Sequence, residues 1–151
     1  MADVAPTGAD STHSLSGHCH CGRITFSVSG PPHNNLICHC ADCRRASGAL
    51  AVAWYCVPEG ALKLGPSVNV ERDITSYTGK TGSVRQFCRV CGTGLFFRSQ
   101  AVLPGFVDIQ GSTFDDDTPA PAPTAHIWTD ERLVWWKDMK DLQEFEKHPG
   151  A

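Results

Sequence analysis

Apolar and polar residues mostly alternate along this chain with the two-residue period of strands. In RITFSV, residues 23–28, Ile24, Phe26 and Val28 share one side of an extended chain. ALAVAWYCV, residues 49–57, is a longer apolar run rich in strand formers that ends at Pro58. ITSYT and SVRQFC flank GKTG, a turn signal, and so predict a hairpin. GLFFRS, VLPGFVDIQG, AHIWT and RLVWWK continue as predicted strands. Two stretches break the pattern. ADCRRASG, residues 41–48, predicts a short helix with Asp42 near its start and Gly48 beyond its end. KDLQEFEKH, residues 140–148, predicts a second short helix. DDDTPAPAPT, residues 115–124, is an acidic, proline-rich connector, and its aspartates read as a solvated loop. The expectation is a mainly β domain of two small antiparallel sheets, or a partly closed barrel, with one or two short helices.

At 151 residues the chain is one domain's worth and long enough to bury a core without disulfides. Residues 1–12 are small and polar and read as a disordered tail, leaving 13–148 as the folded domain. The formal charge of -3 supplies no basic field, which argues against nucleic acid or an anionic membrane as partner. No apolar run approaches the roughly 18 residues of a membrane span. The first residues carry neither a positive n-region nor an apolar h-region, so the expected location is cytoplasmic.

Eight cysteines change the picture. Seven fall in three tight groups: Cys19 and Cys21; Cys38, Cys40 and Cys43; Cys88 and Cys91. Bunched cysteines in a chain with no export signal point to metal rather than disulfides. In Cys-x-Cys, residues i and i+2 of a strand present both sulfurs to one ion. Cys-x-x-Cys suits a tight knuckle between strands. CHCG and CRVCG both end in glycine, which turns the backbone so that amide N–H groups can aim at the thiolates. Cys19, Cys21, Cys88 and Cys91 therefore pair as one closed, inert four-thiolate zinc site. Cys38, Cys40 and Cys43 form a triplet that either leaves a fourth position open for chemistry or is closed by Cys56 or by His39, His33 or His126. Arg44 and Arg45 follow at once and can offset thiolate charge.

GHCHCGRITFSVSG, CHCADCRRASGA, VRQFCRVCGTGL and PTAHIW occur here in the order that resembles the glutathione-dependent formaldehyde-activating enzyme family, which includes centromere protein V. The resemblance spans about residues 15–145. It implies a zinc-stapled β-tent fold shared with R-type methionine sulfoxide reductases. It implies two zinc ions per chain, one structural on Cys19, Cys21, Cys88 and Cys91, and one at the active site on Cys38, Cys40 and Cys43. The implied activity is a carbon–sulfur lyase, S-(hydroxymethyl)glutathione synthesis. GSTFDDD stands where many relatives have a Gly-x-Leu-Asp type segment, and MKDLQEF where a Leu-Pro is common.

The expected chemistry is thus addition of a small thiol such as glutathione to a small carbonyl, or its reverse, with Cys38, Cys40, Cys43 and Arg44 at its centre. Arg45, Arg85 and His126 are expected around the substrate. Arg85 can bind an acidic group or pair with Glu71 or Asp73, and His126 can move a proton or hold backbone carbonyls. His39, between two ligands, is expected to face away from the metal as a supporting or surface residue. Cys56 reads as a small core residue. Two competing functions fit the same residues: a non-catalytic zinc-stapled binding module, and a tailoring lyase for a specialised metabolite that uses the zinc without glutathione. Oligomeric state is not legible.

Overall fold

The computed structural model describes residues 14–148, so the predicted tail lies outside the described residues. In chain order the strands are β1 (Ser14–His18), β2 (Thr25–Ser29), β3 (Asn34–Cys38), β4 (Val52–Pro58), β5 (Leu62–Leu64), β6 (Ile74–Thr78), β7 (Val84–Cys88), β8 (Gly94–Arg98), β9 (Phe106–Gln110) and β10 (Ala125–Ile127). Helix α1 (Ala41–Ser47) joins β3 to β4, and the single turn α2 (Val70–Asp73) precedes β6. A three-stranded sheet runs β1-β2-β5 and a seven-stranded sheet runs β10-β3-β4-β9-β8-β7-β6. The expected mainly β class and two sheets are present.

Strand alternation decides which side chains reach the core. Ile24, Phe26 and Val28 are all buried, as the period of RITFSV requires, and pack with Tyr55 and Val57 of β4 and Val107 and Ile109 of β9. This core lies between the two sheets. Phe26 meets Phe96 and Phe114 edge-on, both at 5.5 Å between ring centroids. Burial of each such side chain stabilises the fold by about 1.5–3 kcal/mol. The alternate residues of β4, Val52 and Trp54, belong to a second, smaller cluster with Cys38 and Cys43 on the other side of the large sheet.

The helix at 41–48 forms where expected. Its last turn closes on Gly48, which takes φ +68° and donates its N–H to Arg44 O at 2.9 Å. At seven residues α1 is too short to stand alone. Cys43, its buried residue, docks it on Val52 and Trp54.

Four expectations need correction. RLVWWK is not a strand: the chain there leads into a 3-10 helix, Trp136–Asp141. KDLQEFEKH is not a helix beyond Asp141, because its apolar residues Leu142 and Phe145 stay exposed and nothing packs them. The larger sheet is neither small nor purely antiparallel, since β10 pairs with β3 in parallel. The proline-rich connector causes this. It runs beside β3, where the Asn35 side chain donates to Pro121 O and Thr124 N donates to Asn35 O, and delivers β10 in the same direction. Finally, Asp115 is not a solvated loop residue: it accepts from Ser16 Oγ at 2.5 Å and lies 3.4 Å from His18 Nε2.

Candidate metal centres

All eight cysteines are free thiols. Seven of them collect into the two groups expected, and in each group the sulfurs lie within 4.8 Å of one another.

The first group is Cys19, Cys21, Cys88 and Cys91. The β1–β2 turn brings the first pair and the β7–β8 turn brings the second. Gly22 and Gly92 close these turns in the left-handed region, φ +73° and +76°, where a side chain would strain the backbone. Their N–H groups donate to Cys19 O at 2.8 Å and Cys88 O at 2.9 Å. Ile24 N points at Cys19 Sγ, 3.3 Å away. Cys19 and Cys88 are fully buried within the main core. Burial pushes the Cys19 thiol up to about 12, whereas hydrogen bonds centred on Thr93 overcome burial and lower Cys91 to about 5. Four convergent soft donors, one already disposed to ionise, fit a tetrahedral thiolate-binding ion.

The second group is Cys38, Cys40 and Cys43. Cys38 ends β3, Cys40 caps α1 and Cys43 lies on its first turn. Cys43 N donates to Cys40 Sγ at 3.3 Å, so the helix start itself orients a sulfur. Among the described residues no fourth Cys, His, Asp or Glu donor comes within 4.8 Å of all three. Cys43 is lowered to about 5, first by the Cys38 thiol and then by Trp54, Cys40 and Arg85, against burial. The donor set fits a soft metal with one position left over.

A cavity of about 230 Å³ opens beside Cys43. Trp54, Phe87 and Phe96 wall it, and Arg85 enters it. The Arg85 guanidinium stacks on Phe97, 4.8 Å from the ring centre, and donates toward Cys43 Sγ at 3.8 Å. Past Arg85 the cavity meets a wider depression of about 580 Å³ that carries Arg45, Lys80 and Asp42.

The remaining expected residues are placed as follows. Arg44 turns to backbone, donating to His39 O at 3.0 Å and Glu131 O at 3.2 Å, and so fastens the cysteine loop to the 129–131 turn. His126 meets His39 ring to ring, Nδ1 to Nε2, at 2.8 Å. His39 is outside the metal-donor group but is no surface residue: it is fully buried, edge-on to Trp136, and desolvation lowers its pKa. Neither Glu71 nor Asp73 pairs with Arg85, and Asp73 is instead gripped by Arg72 and Arg23. Cys56 is buried opposite Asp108 in the β4–β9 register and lies outside the triplet's donor group. Sequence reasoning missed Phe87, Lys80 and Gln110 at the cavity and its mouth. For Gln110 the signal was present, because it alternates with core residues on its strand.

Comparison with known proteins now bears on the site. Residues 14–131 match the family model described as glutathione-dependent formaldehyde-activating enzyme. A Halomonas elongata protein named after the same enzyme is 27% identical over 124 residues, covering 80% of this chain and 78% of its own. An uncharacterized lyase of Schizosaccharomyces pombe is 28% identical over 115 residues, covering 68% and 80%. A solved Rhodobacter sphaeroides protein shares the fold, with TM-score 0.57 at 21% identity, over 74% of this chain and 98% of that one. With the family model spanning both cysteine groups, the chain belongs to the glutathione-dependent formaldehyde-activating enzyme family.

Proposed function

We propose that this protein is a zinc-dependent carbon–sulfur lyase or synthase that joins a small thiol such as glutathione to a small carbonyl such as formaldehyde. The observation that carries the reading is the three-sulfur group, short of a fourth donor among the described residues, at the edge of a cavity that holds a guanidinium. The names of the relatives support the same chemistry.

Zinc on Cys38, Cys40 and Cys43, when bound, supplies an open position that lowers the pKa of an incoming thiol. The chain's own residues do the rest. Arg85 faces Cys43 and offsets the charge of three thiolates while attracting an anionic thiol. Trp54, Phe87 and Phe96 keep bulk water from the reacting carbon. Arg45 and Lys80, with Asp42 in the same depression, suit a ligand with carboxylates and an ammonium. Arg44 and the His39–His126 pair hold the ligand loop in place. In the synthetic direction the C–S bond forms, the carbonyl π pair moves to oxygen, and the thiol's proton returns to that oxygen through water. A zinc ion on Cys19, Cys21, Cys88 and Cys91 is structural. Among the described residues no helix is long and apolar enough to cross a membrane, and eight free thiols suit a reducing cytoplasm.

Cys40→Ser tests the proposal. Turnover of glutathione and formaldehyde should fall at least about a thousandfold, with zinc content dropping from two per chain to one and a cooperative melt retained. Unchanged turnover removes the triplet from the mechanism.

A further inference from the structure

The reaction places charge on the carbonyl oxygen, and no residue named so far receives it. The polar side chains of the cavity can be taken in turn. Ser47 is committed, its hydroxyl donating to Cys43 O at 2.8 Å and accepting from Ala49 N at 3.2 Å. Gln86 is committed as well, donating to Ser76 Oγ at 3.2 Å and accepting from Arg98. Arg85 is turned to Cys43 and Phe97. Gln110 differs. Among the described residues its side-chain amide has no hydrogen-bond partner, and Thr113 Oγ1 donates to its backbone oxygen at 2.7 Å.

The fold aims this amide at the cavity. Val107 and Ile109 of β9 are fully buried in the main core, so Gln110 stands on the other side of the sheet. It lies opposite Trp54, whose ring belongs to the cluster around Cys38 and Cys43. Room for it is made by a missing side chain. A Cβ on Gly94 would meet the Gln110 amide, its Cδ only 3.2 Å away and its nitrogen closer still. Gly94 has an ordinary negative φ, so its backbone does not require glycine. The free amide does.

We propose that Gln110 is a catalytic residue, its amide N–H donating to the oxygen of the carbonyl substrate as the carbon–sulfur bond forms, and that Gly94 is the positioning residue that clears its place. The inference rests on the reading of the triplet as the reaction centre. The amide gives up no proton. It stabilises the developing alkoxide while the π pair moves to oxygen, and water then delivers the proton that the thiol has released. One well-placed donor of this kind accelerates acyl and related additions by roughly 10²–10³.

Binding and turnover test it together. Thioacetate carries oxygen and sulfur on one carbon, as the adduct does, and dithioacetate replaces that oxygen with sulfur. By calorimetry the zinc-loaded protein should prefer thioacetate by about tenfold. Gln110→Leu, which keeps bulk but not the donor, and Gly94→Ala, which displaces the amide, should each abolish the preference while two zinc ions stay bound. The kcat of Gln110→Leu should fall about a hundredfold with KM for the thiol unchanged. No preference in the parent protein, or the same preference in Gln110→Leu and Gly94→Ala, overturns the assignment. If the preference is present and lost as described but glutathione and formaldehyde give no product, Gln110 stands as the oxygen's donor and the substrate named under the proposed function falls.

Discussion

The two cysteine groups use the same donor atom on opposite sides of one sheet, yet the chain builds them differently. The four-cysteine group joins segments that are far apart: Cys21 and Cys88 are separated by 67 positions. Cys19 and Cys88 sit in the main core, and an ion held there would close a long loop. The triplet comes from one stretch, residues 38–43, and an ion there closes almost nothing. On the chain-entropy scale used for cross-links, a loop of about seventy residues is worth about 4 kcal/mol and a loop of about six is worth about 2. The comparison teaches that ligand identity does not decide what a metal is for. With an ion bound, a remote pair of pairs would staple a fold, whereas a local triplet would be free to be unsaturated and to face a cavity.

The largest expected effect breaks the stapled side. Cys88→Ser removes a fully buried candidate ligand and would open the long loop. Structural zinc in small domains is worth about 10–16 kcal/mol, as much as the whole stability of a typical domain. Circular dichroism should therefore show no cooperative melt for Cys88→Ser. Cys40→Ser should keep its melt within about 8 °C of the parent, at roughly 2–4 °C per kcal/mol for a chain of this size. Equal losses in the two variants would erase the distinction.

A second, smaller effect concerns charge. Arg85 is the cation facing the triplet, and the four-cysteine group has no counterpart to its contact with Cys43 among the described side-chain hydrogen bonds to sulfur. Arg85→Met preserves bulk over Phe97 but removes the guanidinium. KM for an anionic thiol should rise about tenfold to a hundredfold, the range of a charge-assisted hydrogen bond, with both metals retained. Steady-state kinetics with glutathione and with an uncharged thiol separate the cases, since only the anionic thiol should suffer.

How much of this could be read from residues alone follows the same division. Spacing located both cysteine groups, because Cys-x-Cys and Cys-x-x-Cys are local geometries. Alternation placed Ile24, Phe26 and Val28 in the core, and Gly48 marked the end of α1. The cavity was not legible in this way. It is assembled by register, which sets Gln110 beside Trp54 and Arg85 beside Phe97, and register depends on pairings between distant strands. The C-terminal segment was misread for a related reason. RLVWWK has the composition of a strand, but the positions beside β3 were already filled by β4 and β10. Trp136 packs instead against His39.

The smallest effect compares one buried carboxyl from each side of the sheet. Asp73, beside the four-cysteine group, is held below the usual carboxylate range by Arg72, by the Asn69 N–H and by Arg23. A group whose folded pKa is depressed lends stability above its ordinary value near 4 and loses it as pH falls below. Asp108, on the triplet side, has a weaker grip, a hydrogen bond with the Cys56 thiol and the nearby His33, and burial outweighs it. Burial pushes it up to about 6, and the charge of Cys43 adds to this. Here the sign reverses: the folded state holds the proton longer than the unfolded chain does, so stability falls as pH rises from about 4 to 6 and stays low above. Asp73→Asn should therefore destabilise the protein at pH 7, and progressively less as the pH falls below about 4. Asp108→Asn should stabilise it at pH 7, by up to about 2 kcal/mol, and leave it unchanged near pH 4. Urea midpoints measured from pH 7 down to pH 3 check both. Opposite signs at pH 7 mean that the stapled side is built for stability and the open side carries a cost. A destabilised Asp108→Asn at pH 7 would mean that Cys56 and His33 outweigh burial there, and the contrast between the two sides would be one of geometry alone.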